Sequence, residues 1–360
     1  MACRIMFVML GKKDFTSGGY IFNFRMVERM RSRGFMVDVV HFRTVPPGLP
    51  GNWMAASRYI RRRALDSGPD LIIISKSYQY VPLLRLSPVC RKIPVLYMMH
   101  HLEWMDGGNK LRSALYRKYA GWLLGMADKM WANSCSTRSA LKELGVPEDR
   151  ITVISPGFEK IPGDPPDRRG RSGPVRLLCV GGMSPRKAQD VVVKACAMLD
   201  RGSFVLELAG SLESDREYAG CLKNLIDDLG MGECVIMTGN LDDGELVRAY
   251  RRADVLVHPA RWEAFGMAIL EGMWQGLPVV ASDVAAIPEL VRNGEHGILV
   301  PPGSPGELAE ALRTLVTARE MRLEMGARSR ETALGMSDWE DTGSRFLELV
   351  DSTIMERGSD

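Results

Sequence analysis

The chain has 360 residues, of which 46% are hydrophobic and 25% are charged, and it carries a formal net charge of +3. This is the composition of a globular protein, and the length suits two domains better than one small core. No run of about 18 consecutive apolar residues occurs, so the sequence predicts no membrane-spanning helix. The seven cysteines are scattered and form no Cys-x-x-Cys pair, which favours reduced thiols in a cytoplasmic protein over disulfides or a metal site.

The charge is distributed unevenly along the chain. Residues 1–160 hold 25 basic and 12 acidic residues, which gives +13, whereas the remainder holds 22 and 32, which gives −10. Such asymmetry indicates either an anionic partner for the first half or attraction between the two halves, and the sequence leaves both open. Nucleic acid is not the expected partner, because the basic half shows neither an aromatic stacking pattern nor a recognised motif.

Strands and helices are predicted to alternate throughout the first half. The predicted strands are apolar runs, at Arg4–Leu10, Met36–Phe42, Leu71–Ser75, Val95–His100, Lys129–Ala132 and Thr152–Ile154. Helical stretches such as Tyr20–Ser32 and Leu111–Met126 lie between them. This alternation predicts a doubly wound α/β domain over residues 1–160, with a parallel sheet covered by helices on both faces.

A second α/β domain is predicted after a linker. Residues 161–174 are rich in proline, glycine and arginine without an apolar period, which is typical of a linker. A new alternation then fills residues 175–337, with strands at Val175–Val180, Phe204–Ala209, Val235–Met237, Val255–Val257, Val279–Ala281 and Ile298–Val300. Residues 338–360 are predicted to form a last helix, at about Trp339–Met355. In such domains ligands bind at the carboxyl ends of the strands.

The most informative segment reads EAFGMAILE, with carboxylates at Glu263 and Glu271. A helix is predicted to begin near Gly266, which places Glu263 just before the helix and Glu271 about two turns inside it. The amides of Phe265, Gly266 and Met267 would then be unpaired first-turn donors, an anion site at the positive end of the helix dipole. Carboxylates accept hydrogen bonds from hydroxyls, so this pattern suits a diphosphate with a sugar on either side.

This segment resembles the Glu-x7-Glu element of the retaining glycosyltransferases of family 4. The surrounding sequence, from ADVLVHPARWEAFG to GSPGELAEAL, is similar to the donor-binding half of that family from end to end. The resemblance is strong over about 174–335 and looser over 1–160. It implies the GT-B fold, in which two Rossmann-like domains face each other across a cleft. The first domain would bind the acceptor, the second would bind the donor, and the last helix would cross back to the first.

The resemblance also assigns roles to residues of the second domain. Glu263, with the amides beside it, would hold the donor sugar and the distal phosphate, and Glu271 would accept from the ribose hydroxyls. Lys187 matches the second member of a basic pair that grips the diphosphate. The first member, usually arginine, is replaced here by Gly182. Arg186 is the expected substitute, because a guanidinium can clamp a phosphate through two hydrogen bonds.

Weaker matches complete the expected site. Gly18 and Gly19 match paired glycines that lie beneath the donor diphosphate in this family. His100, at the end of a predicted strand, matches a histidine near the sugar, with His101 as the neighbouring alternative.

The turn after the Val235–Met237 strand is expected to touch the base of the nucleotide through its backbone. Asn240 and Leu241 are the candidates.

The function implied by the resemblance is transfer of a hexose-type sugar from a nucleotide diphosphate sugar with retention of configuration. UDP is the most common nucleotide in the family. No cofactor or metal ion is expected, because the lysine and the helix dipole stabilise the leaving diphosphate, which itself helps to deprotonate the acceptor. The acceptor would be a glycan or a lipid-linked molecule of polysaccharide biosynthesis.

Contact with an anionic membrane is a further expectation from the sequence. The Arg61–Arg63 run and the mixed basic and apolar stretch Asn109–Lys129 suit peripheral binding at the inner face of a membrane. The alternative is an ordinary helix that packs its apolar side on the sheet and exposes its charges.

Two other functions remain open from the sequence. A nucleotide-sugar epimerase of the same fold would form its product without an acceptor. A non-catalytic module that binds a sugar nucleotide or a membrane surface would not depend on Lys187; the glycine at 182 favours this reading, and the intact Glu263 and Glu271 oppose it.

Overall fold

The computed structural model describes residues 3–10, 18–42, 50–75, 90–100, 120–122, 124–161 and 163–357. The chain divides into two compact units. The first comprises Met1–Gly157 with Ser337–Asp360, and the second comprises Phe158–Met336. No helix within the described ranges is long and apolar enough to cross a membrane.

Among its described residues, the first unit is built on a six-stranded parallel sheet. Its strands are β1 (Arg4–Leu10), β2 (Met36–Phe42), β3 (Leu71–Ser75), β4 (Val95–Met99), β5 (Lys129–Ala132) and β6 (Ile151–Val153), in the order β2-β1-β3-β4-β5-β6. The α-helices in the described part of this unit are α1 (Gly18–Ser32), α2 (Pro50–Ser67), α3 (Cys135–Glu143) and the last helix of the chain, α11 (Trp339–Arg357). The inner strands β3 and β4 are buried at every position, as expected for parallel strands covered on both faces.

The last helix belongs to the core of the first unit. The Phe22 ring stacks on Trp131 at 4.2 Å between centroids, and the buried Phe346 of α11 meets Phe22 edge-on at 5.9 Å. An ion pair between Arg29 of α1 and Glu340 of α11 adds to this contact. Aromatic burial therefore fixes α11 against α1.

The second unit contains another six-stranded parallel sheet. Its strands are β7 (Val175–Val180), β8 (Phe204–Ala209), β9 (Val235–Gly239), β10 (Val255–His258), β11 (Val279–Ser282) and β12 (Gly297–Val300), in the order β12-β11-β10-β7-β8-β9. Its helices are α4 (Gln189–Cys196), α5 (Arg216–Asp228), α6 (Asp243–Arg252), α7 (Met267–Trp274), α8 (Ile287–Leu290), α9 (Pro305–Thr317) and α10 (Arg319–Leu334). Two apolar cores, one on each face, cover this sheet.

The proline-rich segment 161–174 lies within the second unit, where two arginines hold it. Arg168 donates to the carbonyl oxygens of Ala253, Gln275 and Tyr250, and Arg171 donates to the carbonyls of residues 251–253. Cations at these carbonyls complement the negative end of the α6 dipole. Burial, followed by the nearby Arg171 charge, lowers the pKa of Arg168 to about 10.

The predicted doubly wound parallel architecture is confirmed in both units, with differences at the ends of elements. The strand predicted to reach His100 ends at Met99, and the strand predicted to end at Met237 continues to Gly239. The predicted helix Leu111–Met126 lies mostly outside the described residues, as does His101.

Strand order indicates a position for a ligand site in the second unit. In the second sheet the order reverses between β7 and its neighbour β10, and the crevice outside the carboxyl ends of such strands is the usual binding position in open α/β sheets. The loops that leave these two ends, 181–188 and 259–266, carry the basic pair and Glu263.

Candidate functional site

The loop after β7 is a compact turn held by a buried glutamine. The Gln189 side chain donates to the carbonyls of Gly181 and Gly182 at 3.2 and 3.3 Å, and it accepts from the Ser184 amide. Gly181 has φ +151°, and a Cβ there would lie 3.3 Å from Cε of Lys187. The aliphatic stem of Lys187 therefore lies directly over a glycine, which guides its ammonium toward β10.

The ammonium of Lys187 meets the Glu263 carboxylate from the neighbouring loop. Its Nζ lies 2.5 Å from Glu263 Oε2. The same oxygen accepts from Nε2 of His258, the last residue of β10, at 2.9 Å, and Nη1 of Arg186 lies 3.9 Å away. The structure thus brings together Lys187, Arg186 and Glu263, all three predicted from the sequence.

The charge of Glu263 is held by these neighbours. Burial alone would raise the pKa of the carboxyl, but the Lys187 charge and then the His258 hydrogen bond outweigh burial and hold that pKa well below its usual range. Burial, and then the Lys187 charge, lower the pKa of His258. At neutral pH the cluster therefore consists of a carboxylate, an ammonium and a neutral imidazole.

The amino end of α7 follows Glu263 directly. Gly266 precedes the helix with φ +106°, a conformation that favours glycine, and a Cβ there would crowd Ile269 and Leu290 at 3.2 Å. Within the described part of the chain, the N–H groups of Phe265, Gly266 and Met267 have no acceptor. The Phe265 side chain is buried, so these residues offer main-chain donors rather than side chains.

Glu271 lies on α7, about one turn from its start rather than the predicted two, because the helix begins at Met267. Its Oε2 accepts from the Tyr250 hydroxyl at 2.7 Å. Burial raises the pKa of the Glu271 carboxyl to about 7, against the opposing hydrogen bond from Tyr250. The group is consequently close to its midpoint of ionisation at neutral pH.

The local structure explains why residue 182 is a glycine. A Cβ on Gly182 would lie 2.3 Å from Oγ of Ser214, in the 3₁₀ turn Leu212–Ser214 that follows β8. The turn thus occupies the space into which a larger residue 182 would project. Arg186 is anchored nearby, since its Nη1 donates to the Trp262 carbonyl at 3.1 Å.

The predicted base-binding turn joins β9 to α6. Asn240 is exposed, and Leu241 packs partly buried against the core on the α7 face of the sheet. Gly239 before them has φ +71°, and its carbonyl accepts from the Gly210 amide at 2.8 Å. The turn therefore leaves the sheet at the carboxyl ends of the strands, as the other loops of the site do.

The predicted residues of the first unit meet a polar network at the carboxyl ends of its strands. His100 follows β4, and its Nε2 lies 2.7 Å from Oδ1 of Asn23 in α1. Because the Asn23 amide nitrogen donates to Ser75 Oγ, its oxygen is the acceptor and His100 donates. Gly18 and Gly19 open α1, and a Cβ on Gly19 would lie 3.2 Å from the His100 ring.

Three residues of these networks were missed from the sequence. His258 ends a buried strand, Tyr250 lies on a helix with a strongly apolar side, and Asn23 interrupts the apolar face of α1. For His258 and Asn23, a polar side chain within an apolar run was the available signal. That signal does not identify a partner, which in each case comes from a distant part of the chain.

Comparison with known proteins identifies two family regions. Residues 165–332 match the family model described as "Glycosyl transferases group 1", and residues 17–157 match "Glycosyl transferase 4-like domain".

The chain is similar to several proteins named D-inositol 3-phosphate glycosyltransferase. The protein from Kineococcus radiotolerans is 32% identical over 298 residues, which are 74% of this chain and 68% of that protein. The protein from Nocardia farcinica is 33% identical over 65% of this chain. That match spans only 54% of the relative, so the chain covers about half its length.

The fold matches solved structures at low sequence identity. Sucrose-phosphate synthase from Thermosynechococcus elongatus has a TM-score of 0.83 at 20% identity, over 98% of this chain and 100% of that one. Anabaena Alr3699/HepE in complex with UDP-glucose has a TM-score of 0.75 at 20% identity, over 97% and 99% of the two chains. Both show a GT-B-like fold. The two family models, with the relative from Kineococcus radiotolerans, show that the chain belongs to the group 1, family 4-like glycosyltransferases.

Proposed function

We propose that this protein is a retaining, metal-independent glycosyltransferase that moves a hexose-type sugar from a nucleotide diphosphate sugar to a glycan or lipid-linked acceptor. The observation that carries the proposal is the meeting of Lys187 and Glu263 at 2.5 Å, on the two loops that leave the switch point of the second sheet. This position suits a ligand with negative charge and hydroxyl groups side by side.

The basic groups suit the diphosphate. Lys187 carries three N–H donors, and among the described residues only Glu263 accepts from it, so two donors are left for phosphate oxygens. Arg186 adds a guanidinium, and the amides of Phe265 to Met267 add main-chain donors at a helix amino end. In the proposed reaction these groups stabilise the charge that grows on the departing diphosphate.

The carboxylates suit the two sugars of the donor. Glu263 would accept from a hydroxyl of the transferred sugar, and Glu271 would accept from the ribose hydroxyls. Glu271 is already paired with the Tyr250 hydroxyl, which leaves its other oxygen for the ribose. We further propose that the backbone at Asn240 and Leu241 contacts the base.

UDP is the proposed nucleotide. The support is Alr3699/HepE, which shares the fold and whose structure is described as a complex with UDP-glucose. We propose that the leaving phosphate itself takes the acceptor proton, so that retention requires no separate protein nucleophile. On the first unit we propose sugar contacts for His100, Gly18 and Gly19.

We also propose that the first unit contacts the inner face of an anionic membrane. The exposed face of helix α2 supports this, since Arg61 and Arg62 project to solvent beside Tyr59 and Leu65, which are 49% and 45% exposed. Vesicles of phosphatidylcholine with phosphatidylserine should then sediment the protein, and vesicles of phosphatidylcholine alone should not. Equal behaviour with both would remove the membrane from the proposal.

Thermal unfolding with added nucleotides tests the donor site. UDP, GDP, ADP and their common sugars are compared on the unmodified protein, Glu271→Ala and Lys187→Ala. A nucleotide at 100 times its Kd should add about 2.7 kcal/mol to the free energy of unfolding. A shift with one nucleotide that both variants lose supports the proposal.

The rival functions give other results. A shift that survives Lys187→Ala would favour a binding module, and a changed sugar nucleotide without acceptor would favour an epimerase.

A further inference from the structure

We propose that His258 is a positioning residue for the donor sugar, acting through Glu263. The inference rests on the proposed function, since it assigns a supporting role within the same site. The observation is that the imidazole contacts the very oxygen that Lys187 contacts, at 2.9 and 2.5 Å respectively.

The contact defines which nitrogen carries the proton. Glu263 is a carboxylate and can only accept, so His258 must donate from Nε2. The neutral imidazole therefore holds its proton on Nε2 rather than Nδ1. His258 contributes a directed hydrogen bond without adding a second full charge beside Lys187.

Strand β10 fixes the position of the His258 N–H group. His258 ends β10, whose four residues are all buried, and its side chain is only 2% exposed. Glu263 lies five residues further along, in an irregular loop, where a long side chain has several rotamers. A hydrogen-bond donor on a rigid strand selects one of the Glu263 rotamers.

The two carboxylate oxygens are thereby given different tasks. Oε2 accepts from Lys187 and His258, whereas no described residue donates to Oε1. Oε1 is the oxygen left for a sugar hydroxyl. Without His258, Glu263 would be oriented only by the cations Lys187 and, at 3.9 Å, Arg186. A diphosphate that draws these cations away would then release the carboxylate.

This role predicts a specific pattern of binding. Loss of the Nε2 donor should weaken the contact to the sugar but not the contacts to the nucleotide. A residue needed only for packing would instead lower the stability of the second unit and weaken both ligands together.

The test compares His258→Leu, which keeps apolar volume without a donor, with His258→Gln, whose side-chain N–H reaches a similar position. Calorimetry measures the Kd of UDP and of UDP-glucose, and thermal unfolding reports the folded state of each variant. We expect the leucine variant to lose about 10- to 100-fold in UDP-glucose affinity, from one hydrogen bond to a charged group, with UDP affinity unchanged. The glutamine variant should recover most of the loss.

The opposite results are equally clear. Two results would overturn the positioning role while leaving the proposed function intact. One is an unchanged UDP-glucose affinity in His258→Leu, and the other is an equal loss of UDP and UDP-glucose affinity in both variants. Failure of the unmodified protein to bind either ligand would overturn the proposed function, and this inference with it.

Discussion

Lys187 and Glu263 are 76 residues apart in sequence, yet the ammonium and the carboxylate lie 2.5 Å apart at the switch point of the second sheet. The pair is partly buried, with 17% and 11% of the side chains exposed. A diphosphate that binds here would share the ammonium with Glu263, through the N–H groups that the carboxylate does not take. The pair is therefore the feature on which both affinity and catalysis should depend.

Lys187→Ala should lower the rate of sugar transfer by about 10²–10³-fold, because one preorganised charge is removed from the leaving diphosphate. Lys194→Ala is the matched control: Lys194 lies on α4, is 46% exposed, and pairs with Asp190 rather than Glu263. Steady-state kinetics on both variants check the prediction. Equal rates in Lys187→Ala and Lys194→Ala would contradict it.

Glu271 should make the stability of the protein depend on pH. Its pKa is raised from 4.5 to about 7 on folding, so between these values the folded protein binds the proton more tightly than the unfolded chain does. The contribution of Glu271 to the free energy of unfolding should therefore fall as pH rises from about 5 to about 8, by at most about 3 kcal/mol. His258, whose pKa is lowered by burial, contributes in the opposite direction. Glu263 acts in the opposite direction but below this range, because its pKa is lowered.

Glu271→Gln should remove that fall, since glutamine does not titrate. Urea unfolding at several pH values measures it. An unchanged slope between pH 5 and pH 8 in the variant would show that Glu271 is not the group responsible.

Tyr250→Phe should shift the pH dependence of nucleotide binding. The Tyr250 hydroxyl donates to Glu271 and so stabilises its ionised form. Without that hydrogen bond the pKa of Glu271 should rise above about 7. When the pH is lowered, Glu271 of the variant should therefore become protonated, and UDP affinity should begin to decline, at a higher pH than in the unmodified protein. Tyr218→Phe is the control, because Tyr218 makes a similar 2.8 Å bond to Asp190. Identical binding profiles for the two variants would argue against a role of Glu271 at the ribose.

Gly210→Ala should destabilise the second unit. Gly210 has φ +150°, and a Cβ there would lie 2.1 Å from the carbonyl oxygen of Gly181, which is main chain and has little freedom to move. Overpacking of this kind costs about 1–3 kcal/mol or more. Gly202→Ala serves for comparison, because a Cβ there has no neighbour within 4 Å. Chemical unfolding should therefore give a clearly lower free energy of unfolding for Gly210→Ala than for Gly202→Ala. Equal stability of the two variants would refute the close approach of the main chains at Gly210 and Gly181.

The strands were predictable because each one is a short apolar run between turn residues. Parallel strands that are buried on both faces have this pattern, and β3 and β7 begin and end where the sequence predicts. Glu263 was found from its place just before a predicted helix start, whereas Lys187 was found through the resemblance of the turn after β7 to the family's basic pair. Their roles toward a donor stay predictions.

The partners of these residues were not predictable. His258 looks like the end of an apolar strand, and only the pairing of β10 with β7 brings it and Lys187 to one carboxylate. Likewise the Tyr250 hydroxyl reaches Glu271 from another helix. Contacts of this kind depend on tertiary packing, which a local pattern does not encode.

The most direct test of the central claim follows the anomeric proton of the donor by NMR. UDP-glucose, or the donor selected by thermal unfolding, is incubated with the protein and a glycolipid extract, in parallel with Lys187→Ala. The account predicts release of UDP and a product that keeps the α configuration of the donor, with little product from the variant. A β product, an epimerised sugar nucleotide, or equal turnover by Lys187→Ala would contradict it.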